Sequence, residues 1–405
     1  MKKKNLLLTA VTILLIVFDS TIFAQYTDIY VVGNPNGDAV VWKNSEIIFK
    51  PEVFRSRARK ICVSNGDMYV LGYIDIGGTG NEDTRVVVWK NGEIIYTLTD
   101  SLGSSVCSMF VSGRDVYVTC TEGNYYNWPP KGIAKVWKNG VLLFTISNEV
   151  GIVLPYSVIV VNGDVYVAGT TENCVGGIVE RTAKVWKNGK EFYILTEGAR
   201  KLGAYSMFIA NNDIYVAGKD GMNAQVWKNG EVLYILTDGT KEGAANSIYI
   251  SNGDIYVTGM DGYTAKVWKN GEFLYSLFWG SYLRTSSIFI FENDVYVSGS
   301  DNKGIYYWKN GERITLHEGL VGGGDDIIVV DSTVGISETP NSEITIYPNP
   351  TNSKLNIEIE SHITLYNLQG ILLKETYGKE IDISEYPHGI YFLRVEGKTV
   401  KVVKN

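Results

Sequence analysis

Histidine and cysteine are scarce in this sequence. Its 405 residues include three histidines and four cysteines, and between residues 25 and 332 the only histidine is His317. A Ser-His-Asp triad needs a histidine, and most protein zinc sites need several histidines or cysteines close together. The composition therefore argues against both kinds of site, and we expect no metal, no cofactor and no catalytic residue of these types.

A surplus of basic residues is missing as well. The formal net charge is −7 at pH 7, and the lysines and arginines are scattered along the chain. Nucleic acids and anionic membrane surfaces attract proteins that present basic patches. We therefore expect neither nucleic acid nor an anionic membrane surface as a partner, and we expect a monomer.

Long apolar runs are absent after the N-terminus. Lys2, Lys3 and Lys4 precede the apolar run Leu6–Phe18, which is too short for a typical membrane-spanning helix. A basic start followed by such a run is typical of a secretory signal peptide. We predict a signal peptide over residues 1–24, cleavage after Ala24, and no transmembrane segment in the mature chain; an uncleaved anchor is the alternative.

What the sequence does contain is a repeat with two landmarks. The first is Asp-x-Tyr-Val, which begins at Asp28, Asp67, Asp115, Asp164, Asp213, Asp254 and Asp294. The second is Trp-Lys-Asn, which begins at Trp42, Trp89, Trp137, Trp186, Trp227, Trp268 and Trp308. Successive tryptophans lie 40 to 49 residues apart, the period of a four-stranded propeller blade. We predict an all-β, seven-bladed β-propeller over residues 25–332, with these tryptophans in the core between blades.

One copy of the repeat shows how a blade is built. Residues 247–277 divide into four apolar runs, which we assign to strands A, B, C and D: Ser247–Ser251, Asp254–Thr258, Ala265–Lys269 and Glu272–Leu277. Asn-Gly joins A to B and C to D, and this dipeptide favours a two-residue hairpin turn. The first copy begins at strand B, whereas Asp326–Asp331 is a spare strand A. We therefore predict closure by three N-terminal strands and one C-terminal strand.

The variation between copies is confined to one face of the predicted disc. The B–C connection is long in three adjacent copies: Gly72–Arg85, Cys120–Ile133 and Gly169–Thr182. Insertions on one face of a repeat array often mark its binding face. The candidate ligand contacts there are aromatic and acidic residues: Tyr125, Tyr126, Trp128, Trp279, Tyr282, Glu122 and Glu172. The alternative is that the aromatic residues pack against their own loops.

Two of the four cysteines are predicted to form a disulfide. With Gly113 and Arg114 as the turn between strands A and B, Cys107 and Cys120 lie directly opposite each other. They fall on a non-hydrogen-bonded pair, where the Cα atoms are close enough for a disulfide. Cys62 and Cys174 belong to blades that are not adjacent, so we expect them to stay unpaired.

The repeat stops after Ser332. A polar linker, residues 333–343, leads to residues 344–405, which have short strands and motifs of their own. The motifs are Tyr347-Pro348-Asn349-Pro350, the run from Tyr366 to Gly370, and the run from Gly389 through Tyr391 and Arg394 to Val395. This segment resembles the type A C-terminal sorting domain of proteins that Bacteroidetes export by the type IX (Por) secretion system. The resemblance implies a small Ig-like β-sandwich, the type IX machinery as a partner, and a secreted or outer-surface location.

The repeats also resemble uncharacterised secreted β-propellers with Trp-Lys-Asn-Gly repeats, a likeness that implies no activity. The propeller fold hosts binding proteins, enzymes and scaffolds, so the fold alone does not decide the function. We favour a non-catalytic binding or scaffold protein whose long-loop face holds a glycan or a protein. The alternatives are a glycoside hydrolase or polysaccharide lyase with carboxylates at the channel mouth, and a surface-layer protein without a discrete ligand.

Overall fold

A computed structural model describes most of the chain between residues 27 and 405. The described ranges are 27–53, 55–75, 84–98, 105–124, 131–148, 151–175, 178–198, 202–279, 284–319, 321–331, 346–367, 372–395 and 398–405. All the secondary-structure elements in these ranges are β-strands. They include no helix that is long and apolar enough to cross a membrane.

The first 28 strands make seven blades. Blade 1 contains β1 (Thr27–Pro35), β2 (Val40–Lys43) and β3 (Glu46–Phe49), and blade 2 contains β4 (Ser56–Ser64), β5 (Asp67–Asp75), β6 (Thr84–Lys90) and β7 (Glu93–Thr97). Blade 3 contains β8 (Ser105–Ser112), β9 (Asp115–Asn124), β10 (Lys131–Lys138) and β11 (Val141–Ile146), and blade 4 contains β12 (Ile152–Val161), β13 (Asp164–Val175), β14 (Ile178–Lys187) and β15 (Lys190–Glu197). Blade 5 contains β16 (Leu202–Ala210), β17 (Asp213–Asp220), β18 (Asn223–Lys228) and β19 (Glu231–Ile235). Blade 6 contains β20 (Gly243–Ser251), β21 (Asp254–Asp261), β22 (Thr264–Lys269) and β23 (Glu272–Trp279), and blade 7 contains β24 (Arg284–Phe291), β25 (Asp294–Ser300), β26 (Gly304–Lys309) and β27 (Glu312–Glu318).

The last strand of the ring, β28 (Val321–Asp331), completes blade 1. It pairs antiparallel with β1, so that Asp28 faces Val330 and Val32 faces Asp326, and the strand order of this sheet is β28-β1-β2-β3. The predicted closure by three strands and one is therefore confirmed, as is the seven-bladed architecture. Both ends of the propeller chain are held in one sheet by backbone hydrogen bonds.

The Asn-Gly turns have the backbone that the sequence predicts. In blade 6 the φ angles are 51° at Asn252 and 82° at Gly253, then 52° at Asn270 and 85° at Gly271. Two successive residues with positive φ make a type I′ turn, which matches the twist of the strands it joins. Asparagine and glycine tolerate this left-handed region better than other residues do, so each short dipeptide sets the register of its hairpin.

The hydrophobic cores lie between blades. Among the described residues, seven apolar clusters each combine side chains of two neighbouring blades and contain one motif tryptophan. Trp268 of blade 6, for example, packs with Ala224 and Val226 of blade 5 and with Ile248 of its own blade. All seven tryptophans are at most 5% exposed. Each tryptophan packs against the preceding blade, in the core position that the sequence predicts.

The two sequence landmarks meet in space at the end of each hairpin. In blade 6, Lys269 Nζ lies 2.7 Å from an Asp254 carboxylate oxygen, and Asn270 donates a 2.8 Å hydrogen bond to the other oxygen. Lys269 Nζ also lies 5.1 Å from the ring centre of Tyr256. The same aspartate–lysine and aspartate–asparagine contacts recur in all seven blades. These hydrogen bonds hold the pKa of Asp254 below its usual value.

The innermost strands are connected by a second repeated contact. Strand A is the inner edge of each blade, and an edge strand leaves backbone N–H groups without a partner in its own sheet. The Ser247 hydroxyl accepts a 3.2 Å hydrogen bond from the Ile288 N–H of the next blade. Ser108, Ser157 and Ser206 do the same for blades 4, 5 and 6. We call these residues the channel serines; each satisfies an edge N–H of its neighbour.

At the closure, charged residues replace two members of this series. Asp326 of β28 accepts a 3.0 Å hydrogen bond from the Ile61 N–H and lies 3.1 Å from Lys60 Nζ. The Asp326 side chain is 3% exposed and that of Lys60 is 38% exposed. Burial disfavours the charged lysine, but the Asp326 carboxylate outweighs this effect and raises the pKa of Lys60. An ion pair thus joins blades 1 and 2 at the place where the chain ends meet.

The C-terminal unit is one five-stranded sheet. Its strands are β29 (Ile346–Tyr347), β30 (Lys354–Tyr366), β31 (Leu372–Asp382), β32 (Gly389–Val395) and β33 (Lys398–Lys404). The sequence predicts separate strands at Lys354–Ile359 and Ile363–Asn367, where β30 is one continuous strand, and it does not predict β31 or β33. The register of β30 against β31 is irregular between Asn356 and Ser361. Polar residues in this part of β30 interrupt the alternation of apolar and polar residues from which strands are predicted. Its core is separate from those of the blades and contains Leu355, Ile363, Tyr391, Leu393 and Val402.

The Pro348-Asn349-Pro350 motif holds the last strand in place. The Asn349 side chain donates to the Lys401 carbonyl at 2.6 Å and accepts from the Val403 N–H at 2.9 Å. Lys404 is 7% exposed, and its ammonium donates to the carbonyl oxygens of Ser384 and Tyr386. The basic C-terminal end is therefore part of the folded sheet. Arg394 forms an ion pair of 2.6 Å with Asp331, the last residue of β28, and Gly370 lies outside the described residues.

The cysteines are arranged as the sequence indicates. Cys107 and Cys120 are direct partners in the register of β8 and β9, Cys120 is disulfide-bonded, and Cys62 and Cys174 are free. Cys120 stands where six blades have glycine. In blade 6 a Cβ on Gly259 would lie 2.0 Å from the Ala244 carbonyl oxygen, because a β-bulge brings the strand A backbone close.

We predict that Cys107 and Cys120 form a disulfide in the exported protein. The protein should be purified from culture medium without reductant, alkylated, and digested for mass spectrometry. The expected result is one peptide pair linked through these two residues, with Cys62 and Cys174 recovered as alkylated free thiols. Alkylation of Cys107 and Cys120 in the unreduced protein would contradict the prediction.

The closure ion pair should matter more than a channel serine. Asp326→Ala leaves the Ile61 N–H and the Lys60 ammonium without their partner, and we expect a loss of about 2 to 3 kcal/mol in unfolding free energy. Ser247→Ala removes one neutral hydrogen bond at an ordinary interface, and we expect about 1 kcal/mol. Urea denaturation followed by tryptophan fluorescence reports the propeller alone, because all nine tryptophans precede residue 332. A smaller loss for Asp326→Ala than for Ser247→Ala would be the opposite result.

Candidate functional site

The two faces of the disc differ in how regular they are. We call the face with the A–B and C–D turns the turn face, and the one with the B–C and D–A connections the loop face. The turn face carries the recurring aspartate–lysine–asparagine contacts. On the loop face, the insertion predicted as a loop over Gly169–Thr182 is instead a hairpin extension, since β13 and β14 stay paired out to Val175 and Ile178.

The other two predicted long loops are also partly strand. In blade 2 the pairing of β5 with β6 continues to Asp75 and Thr84, and in blade 3 that of β9 with β10 continues to Asn124 and Lys131. These insertions were predicted as long loops; within the described residues, strands B and C lengthen into them by pairing with each other. What the insertions add is a set of three paired extensions in consecutive blades.

Four of the five predicted aromatic contacts lie outside the described residues. Tyr125, Tyr126, Trp128 and Tyr282 lie outside the described residues, and Trp279 ends β23 with its backbone opposite Thr264. Of the two predicted acidic residues, Glu122 forms an ion pair with Lys135. Glu172 forms one of 2.7 Å with Arg181. The proposed role of these residues in ligand binding stays a prediction.

Glu172 lines a cavity between blades 4 and 5. The cavity has a volume of about 320 Å³ and opens on the loop face. It is lined by the ends of strands from both blades and by one residue of the connection to blade 6: Tyr156, Thr170, Glu172, Arg181, Leu202, Tyr205, Lys219 and Glu242. We call it the blade 4–5 cavity. Sequence analysis identified only Glu172 among these residues.

Two β-bulges place the tyrosines of this cavity. The register of strand A skips one residue between Pro155 and Ser157, and again between Ala204 and Ser206, so Tyr156 and Tyr205 are the bulged residues. A bulge redirects a side chain and leaves its residue out of the regular pairing. The two rings meet nearly at right angles, 88°, with centres 5.2 Å apart.

A sequence signal for these tyrosines exists. The bulged residue comes directly before the channel serine or its replacement, and it differs from copy to copy: Arg59, Tyr156, Tyr205, Asn246, Ser286 and Asp325. In blade 3 the skipped position moves by one, to lie between Ser105 and Cys107. The residue directly before the channel serine therefore varies between blades while the serine recurs. Such variation indicates that packing between blades does not restrict the residue type at the bulge.

The charges of the blade 4–5 cavity are paired. Glu172 accepts from Arg181 at 2.7 Å, and Lys219 donates to Glu242 at 2.5 Å. Burial raises the pKa of Tyr205 to about 12; the Arg181 charge opposes this shift, whereas the Glu242 and Glu172 charges add to it. The Tyr205 phenol is therefore neutral at physiological pH and able to donate or accept a hydrogen bond.

One polar group of the cavity is left without a partner. Thr170 is 2% exposed, and its hydroxyl has no hydrogen-bond partner among the described residues. Buried hydroxyl groups in folded proteins are nearly always hydrogen-bonded, to protein, water or ligand. The cavity thus combines one unsatisfied hydroxyl, two ion pairs and two aromatic rings.

A second charged group lies at the closure. Asp325, the bulged residue of β28, forms an ion pair of 3.2 Å with Arg59 and accepts a hydrogen bond from the Asn34 side chain. Burial raises the pKa of Asp325, and the Arg59 charge opposes that shift. Asn34 also bonds both backbone groups of Ala58. The group connects blades 1 and 2, because Asp325 and Asn34 of blade 1 bond to Arg59 and Ala58 of blade 2. The described part of the chain contains no cluster of three or more metal-ligating side chains.

Comparison with known families identifies the C-terminal unit. Residues 345–405 match the family model described as the secretion system C-terminal sorting domain. The C-terminal unit belongs to this family. The sorting domain thus follows a propeller that the family model does not cover, and it indicates export to a secreted or cell-surface location. A search of curated proteins finds no match.

Solved structures resemble the chain only distantly. A WD40 β-propeller domain of Doa1 is 17% identical with a TM-score of 0.43, over 67% of this chain and 86% of that one. A Trypanosoma rangeli sialidase in complex with sialic acid is 10% identical with a TM-score of 0.44, over 94% and 89%. A nidogen/laminin complex chain is 11% identical with a TM-score of 0.38, over 62% and 93%. Likenesses this distant carry no argument about function.

Proposed function

We propose that the protein is exported by the type IX secretion system and acts outside the cell as a non-catalytic binding or scaffold propeller. Its loop face holds a glycan or a protein, and the sorting domain engages the secretion machinery. The observation that carries this proposal is the contrast between the faces. The turn face repeats the same contacts seven times, whereas hairpin extensions, variable bulge residues and the blade 4–5 cavity all lie on the loop face.

The enzymatic alternative finds less support in the cavity. A glycoside hydrolase of the usual kind needs one carboxylic acid that donates a proton and a second carboxylate beside the same bond. Glu172 and Glu242 are each held by a cation, Arg181 and Lys219 respectively. Both carboxylates are therefore held in ion pairs in the free protein, an arrangement that suits binding better than proton transfer.

We predict that residues 340–405 are needed for export and dispensable for folding of the propeller. The propeller cores and its closure strand lie wholly before residue 332. In a host with a type IX system, the truncated protein should accumulate in the periplasm with the same protease resistance as the propeller of the intact chain. Its appearance in the medium at the normal level would contradict the proposed role of the sorting domain.

A glycan array probed with the mature chain, residues 25–405, tests the binding function. Stacking on one aromatic ring contributes about 1 kcal/mol. Trp128→Ala should therefore raise the Kd for the strongest array ligand about fivefold to tenfold, with an unchanged melting temperature. Trp268→Ala is the matched control: it removes a core side chain, costs about 3 to 5 kcal/mol of stability, and leaves the Kd of the folded fraction unchanged.

Calorimetric titration and thermal melts of the two variants separate these effects. A ligand whose affinity ignores Trp128, Tyr125 and Tyr126 alike would show that the sector of the three hairpin extensions is not the binding sector. An array without any bound glycan, together with no captured cell-surface protein, would overturn the binding function and favour a purely structural role.

A further inference from the structure

We propose that the blade 4–5 cavity is a subsite for one uncharged sugar residue of a larger glycan. This inference rests on the proposed function and deepens it by naming the class of ligand. It uses residues that the repeat does not account for: the bulged tyrosines, the two ion pairs and Thr170. Each of these features points to a neutral ligand rich in hydroxyl groups.

The hydrogen-bonding groups of the cavity match a sugar. The Thr170 hydroxyl is buried and has no hydrogen-bond partner among the described residues, and leaving such a group unsatisfied is unfavourable. Carboxylates accept hydrogen bonds, and the guanidinium and ammonium groups donate them. Adjacent sugar hydroxyls do both, so they can bridge the Glu172–Arg181 pair without separating it. A hydroxyl placed against Thr170 completes the set.

The charge of the cavity selects against ionic ligands. Two carboxylates face two cations, so the described lining has no net charge. The side chains of Glu172 and Lys219 are 18% and 11% exposed. An acidic sugar that took Arg181 from Glu172 would leave a carboxylate whose side chain is 18% exposed without its cation, which is unfavourable. Glu242 is 49% exposed, so the selection against acidic sugars comes from the Glu172–Arg181 pair. A cationic ligand meets the same obstacle at Glu172 and Glu242.

The aromatic wall and the size of the cavity limit the ligand further. The Tyr205 ring rests on the backbone of Gly203, where a Cβ would lie 2.5 Å from the ring, so the ring position is fixed. The volume of about 320 Å³ is at the lower end of the range of about 300 to 1,000 Å³ for small-molecule sites. Leu202 is the only aliphatic side chain of the described lining, so an apolar peptide side chain has little surface to contact.

The test uses the intact mature chain and simple sugars. Saturation-transfer NMR titrations with the methyl glycosides of glucose, galactose, mannose, N-acetylglucosamine and glucuronic acid would measure the Kd of each. We expect at least one neutral glycoside to bind and methyl glucuronide to bind at least about tenfold more weakly, as expected for a buried ion pair that must separate. Tighter binding of the glucuronide than of every neutral glycoside would overturn the inference.

Two conservative variants assign the binding to this cavity. Thr170→Val and Tyr205→Phe each remove one hydroxyl and keep the shape, and each should raise the Kd of the bound neutral glycoside about threefold to tenfold, the effect of one lost hydrogen bond. Tyr249→Phe is the matched control, because Tyr249 is a partly buried tyrosine of strand A in blade 6 that does not line the cavity. It should leave the Kd unchanged.

The outcomes separate this inference from the proposed function. If array glycans bind the chain but Thr170→Val and Tyr205→Phe leave their affinity unchanged, the sugar subsite is wrong, whereas binding on the loop face stands. If neither the array nor any methyl glycoside shows binding, the sugar subsite is wrong, and the proposed function fails with it if the chain also captures no cell-surface protein. A neutral glycoside that binds wild type and Tyr249→Phe equally, and both cavity variants more weakly, supports both.

Discussion

The contact between neighbouring blades is the constraint on which the rest of the structure depends. A four-stranded sheet that is apolar on both faces cannot bury itself, so each blade needs two neighbours and the row must close into a ring. One tryptophan fills each contact, as Trp268 does between blades 5 and 6. One polar residue of strand A, such as Ser247, satisfies an exposed N–H of the next blade. The tryptophan contact recurs between all seven pairs of neighbouring blades. Four channel serines make the strand A contact, and Asp326 makes it at the closure, where it also pairs with Lys60.

This constraint also decides where the chain is free to vary. The contacts between blades and the turn-face hydrogen bonds fix the same residue types in every copy. The extended ends of strands B and C and the bulged residue of strand A carry neither the tryptophan contact nor the turn-face hydrogen bonds, so strands B and C can lengthen there and the bulged residue can differ. Tyr156 and Tyr205 occupy two such positions and meet across one contact between blades. A repeated scaffold thus carries one face with local chemistry.

Sequence reasoning reached the features that local signals determine. The Asn-Gly turns, the seven landmarks and the spare strand at Asp326–Asp331 were enough to predict the blades and their closure. The bond between Asp254 and Lys269 was not foreseen, because it depends on the register of strands B and C. The hairpin extensions were read as loops since insertions in paired strands resemble loops in a sequence. The cavity was missed, apart from Glu172, because a bulge leaves no mark in the alternation of apolar residues and two blades contribute to the lining.

The central claim is that ligand binding belongs to the loop face and that the turn face is structural. Hydrogen–deuterium exchange of the mature chain, with and without its strongest array glycan, tests this claim most directly. The account predicts slower exchange in residues 151–175 and 202–220, with no change at the turns of Asn252-Gly253 and Asn270-Gly271. Protection confined to those turns and their equivalents in other blades would contradict it.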